Sequence, residues 1–102
     1  MSRVPSAPPW LRGLANRFGR AVPVVDCRLL AGGAGPGAPI VAVVVLAVEG
    51  GELGLAATAP PQERVVAHGG DTDGFFELPP DPERVLLVDT LRLLAAINRA
   101  MG

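Results

Sequence analysis

Ile40-Val41-Ala42-Val43-Val44-Val45-Leu46-Ala47-Val48 is the stretch on which the fold turns. It is rich in β-branched residues, carries no charge and is apolar at odd and even positions alike. A strand with one solvated face alternates; this one does not, which predicts a central strand covered on both sides. Glu49-Gly50-Gly51-Glu52 follows, and a Gly-Gly pair between two apolar runs predicts a tight hairpin turn. Leu53 to Thr58 is then the returning partner strand.

Towards the N-terminus, Ala31-Gly32-Gly33-Ala34-Gly35-Pro36-Gly37 is a loop, since that many glycines beside a proline suit nothing else. Val22 to Leu30 before it reads as a strand, with Val25, Cys27 and Leu29 on one face and Asp26 and Arg28 on the other. Upstream again, Trp10 to Arg20 has helical spacing. At 100° per residue Trp10, Leu11, Leu14 and Phe18 share one side, and Arg12, Asn16, Arg17 and Arg20 the other. Gly13 and Gly19 each cost such a helix up to about 1 kcal/mol, so it needs a surface to lie against. Residues 1–8, with Pro5 and Pro8 and no periodic pattern, predict a flexible tail.

Towards the C-terminus, Ala59-Pro60-Pro61 breaks the hairpin. Glu63 to His68 predicts a shorter strand, Gly69 to Gly74 an acidic turn, and Phe75 to Leu78 a fifth strand ended by Pro79 and Pro80. Asp81-Pro82-Glu83 has the composition of a helix start: a capping acid, a proline at the first position and an acid at the positive dipole end. The helix would run to Met101 with Gly102 as cap. Leu86, Leu93, Leu94, Ile97 and Met101 would be its buried stripe, and Arg84, Arg92, Asn98 and Arg99 its outer face. The competing reading makes Arg84 to Val88 a strand and starts the helix at Asp89; the Asp-Pro-Glu signal favours the long helix.

These elements add up to an α+β fold: an antiparallel meander sheet of four or five strands with an N-terminal and a longer C-terminal helix. With 102 residues the chain has room for a single domain, 9–102, behind the tail. One helix does not cover both faces of the Ile40–Val48 strand. The second cover is expected to be the N-terminal helix or another copy of the chain.

Composition narrows the function. The net charge of −1 hides an asymmetry: Arg3, Arg12, Arg17 and Arg20 make residues 1–25 basic with no acid among them, and all ten acids follow. A weakly acidic whole argues against nucleic acid as partner, while the basic start suits a local anionic surface. There is no lysine, a bias of composition more than of mechanism. The single Cys27 excludes an internal disulfide and fits a reducing compartment. Ala38 to Val48 is too short to span a membrane as a helix, and arginines interrupt the N-terminal segment where a signal sequence needs an apolar run. A cytoplasmic protein is expected.

No catalytic, metal or cofactor constellation emerges. The glycine loop is followed by a strand, whereas phosphate loops need a helix whose amides hold the anion. Asp71-Thr72-Asp73-Gly74, with Glu77, lacks the ligand spacing of a calcium loop. Cys27 and His68, each alone of its kind, make neither a zinc set nor an oriented nucleophile–base pair. The amphipathic segment has the best claim: Trp10, Leu11, Leu14, Arg17 and Phe18 predict a partner-binding face, as in a helix docked in a protein groove. The expected function is a small non-catalytic accessory, chaperone-like or adaptor protein that binds a protein partner or itself, as a homodimer. The alternative is a small-ligand or enzymatic pocket between sheet and helices, using Asp26, Arg28, His68 or Asp71. A membrane-surface role ranks below both.

Overall fold

The computed structural model describes residues 2–33, 35, 37–63, 65, 72–77 and 87–101. The chain divides into two compact units, Met1–Gln62 and Glu63–Gly102.

In the first unit, β1 (Leu11–Arg17) and β2 (Arg20–Val25) form an antiparallel hairpin, followed by a single helical turn, α1 (Cys27–Leu30). β3 (Ala42–Val48) and β4 (Gly51–Ala57) form a second antiparallel hairpin. β2 joins β4 in parallel, so the order is β1-β2-β4-β3 and the sheet is mixed, not a pure antiparallel meander.

The N-terminal helix is therefore replaced by a β-hairpin. The reason is non-local. Val22, Val24 and Val25 favour a strand, and β1 pairs with them from Leu11↔Val25 to Arg17↔Arg20, with one irregularity between Leu11 and Gly13. The glycines that weakened the helix suit the hairpin. Phe18 and Gly19 both have positive φ, 50° and 79°, which is the type I′ conformation that a two-residue hairpin turn favours. The Asn16 side-chain oxygen accepts a hydrogen bond from the Gly19 amide at 3.0 Å. Ser2 pairs with Leu14 through two backbone hydrogen bonds, so part of the N-terminal segment lies along β1.

The apolar run also changes place. β3 sits at an edge of the sheet, with Val44 37% exposed and the preceding Val41 58% exposed. The core runs instead along β2 and β4, where Val22, Val24, Val25 and Leu53 are buried and Val24 is fully enclosed, with Trp10, just before β1, buried as well. Gly54 lets β4 fit between its neighbours. A Cβ there would lie 2.7 Å from Val43 Cγ1 and 3.3 Å from the Pro23 carbonyl oxygen. The Val22–Leu30 strand ends earlier than its pattern suggests, because Asp26 caps α1 by accepting from the Leu29 amide. The β3–β4 hairpin agrees with the sequence reading, but its turn residues are Glu49 and Gly50, and Gly51 is already paired with Val48 at the start of β4.

In the second unit three short strands pair in order: β5 (Thr72–Asp73), β6 (Phe76–Glu77) and β7 (Leu87–Val88), all antiparallel. α2 (Thr90–Met101) follows, with Leu93 fully buried. The Asp89 carboxylate accepts from the Arg92 amide and so caps the helix. The long helix from Asp81 is thus overturned: Leu87 and Val88 are paired as strand to Glu77 and Phe76. Asp81, Pro82 and Glu83 lie outside the described residues, as do the Leu86 part of the stripe, most of the Glu63–His68 segment and Gly102. Of the expected helical stripe, Met101 is exposed.

Candidate interaction surface

The five residues expected to share one helix face are spread along a strand instead. Trp10 precedes β1 and is 8% exposed, part of the core, its carbonyl accepting from the Asp26 amide at 2.7 Å. Leu11 and Leu14 are half-buried on β1. Arg17 ends the strand, and Phe18 stands at the turn, 92% exposed. The seven residues of β1 separate Trp10 from Phe18, about 25 Å of extended chain. Trp10 and Phe18 share no face; the tryptophan anchors the fold and the phenylalanine leaves it.

Two ion pairs organise this unit. Arg12, expected on a solvated helix face, reaches inward. Its guanidinium donates to Asp26 Oδ2 at 3.0 Å and to the Ala38 carbonyl at 2.8 Å. Asp26 is buried, so the pair satisfies a carboxylate that would otherwise lack a counterion, and ties the segment after the glycine loop to β1. The second pair joins Arg17 to Glu52 across the width of β2, linking the ends of β1 and β4. The Arg17 guanidinium also lies over the Phe18 ring, 5.4 Å from its centroid.

Parallel pairing of β2 with β4 covers only Val24↔Gly54 and Val25↔Leu55. Pro23 precedes it and has no amide to donate. Towards the turns the strands part, leaving an open concavity of about 470 Å3 lined by Arg20, Ala21, Val22, Pro23, Gly50, Gly51 and Glu52. Phe18, Arg20 and the Arg17–Glu52 pair thus belong to the same end of the sheet. Arg20 is exposed and makes no ion pair among the described residues.

Cys27 does not face away from Asp26 on a strand; it opens α1 beside it. Burial pushes its thiol up to about 11, and the neighbouring Asp26 carboxylate adds to the rise. A thiol so protonated at neutral pH is a poor nucleophile. His68 and Asp71 lie outside the described residues. Among the described residues no three His, Cys, Asp or Glu side chains are placed to share a metal ion. No helix among them is long and apolar enough to cross a membrane.

Arg12, Asp26, Arg20 and Glu52 were not singled out as a group from sequence. A usable signal was present: Phe18-Gly19 is a two-residue turn flanked by runs of similar length, the second rich in valine.

No match is found among curated proteins. Among solved structures, the scaffolding protein TtCheW from Thermoanaerobacter tengcongensis is similar, with a TM-score of 0.55 and 20% identity over 85% of this chain. The match covers 56% of TtCheW, so this chain spans little more than half its length. At that identity the likeness establishes the fold alone. The model of the CheW-like domain matches residues 1–69, which contain the whole β1-β2-β4-β3 sheet, and the chain belongs to the CheW-like domain family.

Proposed function

We propose that this chain is a non-catalytic scaffold or adaptor of a chemotaxis assembly, working in the cytoplasm by holding protein partners together. The observation that carries the reading is the CheW-like match over the complete four-stranded sheet. TtCheW, the similar solved structure, is itself described as a scaffolding protein. The contact surface in this reading is the sheet end carrying Arg17 and Phe18.

A scaffold brings together proteins that do not otherwise associate. Deleting the gene should therefore abolish co-purification of its two partners with each other, and restoring the chain should recover it. Partners that stay together without the chain would overturn the reading.

Self-association is the finer part of the proposal. β3 is an uncharged edge strand with neither proline nor bulge, the kind of edge that pairs with another strand. Light scattering at micromolar concentration should detect a dimer; a strict monomer removes this part and leaves the scaffold reading in place.

A further inference from the structure

The β1–β2 turn is built against its own stability. Phe18 has φ 50°, in the left-handed region, where asparagine, aspartate and glycine are at ease and a large side chain is strained by roughly 1–2 kcal/mol. Its ring recovers nothing by burial, being almost fully exposed. Arg17 and Arg20 stand directly opposite each other across the last pair of the hairpin, two like charges in register. Glu52 takes up the charge of Arg17. Arg20 is left exposed with no ion pair among the described residues, in a segment that carries four arginines and no acid through Val25. Beyond the stacking of Arg17 on one face of the ring, a strained, exposed aromatic beside an uncompensated guanidinium gains little within this unit.

We propose that Phe18 is a docking knob that inserts into an apolar socket on a partner protein, a socket whose rim carries carboxylates that pair with Arg20. The inference rests on the scaffold reading and names the chemistry of its contact. The ring supplies rigid apolar area with few rotatable bonds, and the cations fix orientation and exclude basic surfaces. Arg17 holds the ring by stacking on it while its own charge is committed to Glu52.

The test uses the full chain in its native host. Phe18→Asn suits the turn better than the native residue, so it should raise the Tm by a few degrees and yet lower recovery of the partner at least tenfold. A lowered Tm would make Phe18 a structural residue and overturn the proposal, as would undiminished recovery. Arg20→Glu should lower recovery at least tenfold with the Tm little changed; unchanged recovery would overturn the carboxylate rim. A photoreactive benzoylphenylalanine at position 18 should give one protein adduct, mapped to a peptide holding both aliphatic and Asp or Glu side chains. An adduct to a second copy of this chain, no adduct, or flotation with phosphatidylglycerol vesicles would overturn it. Partners still bridged by the Phe18→Asn variant refute the knob but leave the scaffold reading intact; partners that never need the wild-type chain refute both.

Discussion

Cys27 keeps its proton well past neutrality because partial burial disfavours the thiolate and Asp26 repels it. The sign of the linkage follows. The folded value is raised above the ordinary 9.0, so this contribution to stability is complete below pH 9 and declines as pH climbs towards 11. Thiolate absorbance should titrate with a midpoint near 11 in the folded protein and near 9 in urea. Equal midpoints in the two states would contradict the burial. Gly54 makes a second residue-scale case. Its absent side chain is required by packing, since Val43 and the Pro23 carbonyl close on it from two sides. Gly54→Ala should destabilise the protein by about 1–3 kcal/mol in urea unfolding, the usual cost of overpacking. An unchanged midpoint would mean that β2 and β3 separate without penalty.

At the scale of elements, two valine-rich strands have exchanged the roles their sequences suggest. β3 is the more apolar, yet it lies at the sheet edge, while β2, interrupted by Pro23, lies inside between β1 and β4. Substitution should separate them sharply. Val24→Ala removes two methyl groups from a fully enclosed site and should cost about 2 kcal/mol or more. Val44→Lys at the edge should stay within about 1 kcal/mol of wild type, because the lysine head can reach water. Chemical unfolding of the two variants checks the order, and a larger loss for Val44→Lys would reverse it. The β1–β2 hairpin teaches the same point differently. Trp10, Leu14 and Phe18 do fall on one side of a helix, and only pairing with Val22–Val25 selects the strand.

The molecule as a whole has two compact units joined by a segment in which Thr58 to Glu63 are all exposed and none lies in a strand or helix. Of the glutamates in the first unit and the joining segment, Glu49, Glu52 and Glu63, Glu-C protease should therefore cut first after Glu63 under native conditions. Glu52 lies within the paired β4, and Glu49 sits in a tight turn, so both need local unfolding before they fit a protease cleft. An N-terminal fragment ending at Glu63 should accumulate before smaller pieces, as followed by mass spectrometry. First cleavage at Glu49 would show the β3–β4 hairpin to be the weaker element.

Local physics was legible throughout. The β3–β4 turn, set one residue earlier than the Gly50–Gly51 pair suggests, the break at Ala59-Pro60-Pro61 and a C-terminal helix containing Leu93, Leu94 and Ile97 all follow from neighbours within a few residues. The expectation of protein contact rested on the lack of any spaced set of reactive side chains in the sequence, and the CheW-like family match is in keeping with it. Tertiary structure alone decided that 11–17 is a strand, that β2 and β4 are central and parallel, that Arg12 turns inward to Asp26, and that Trp10 and Phe18 part company. Each depends on groups far apart in sequence. Helical and extended states of 10–20 differ by less than the pairing with β2 contributes, and an apolar run by itself cannot say how many strands will lie beside it.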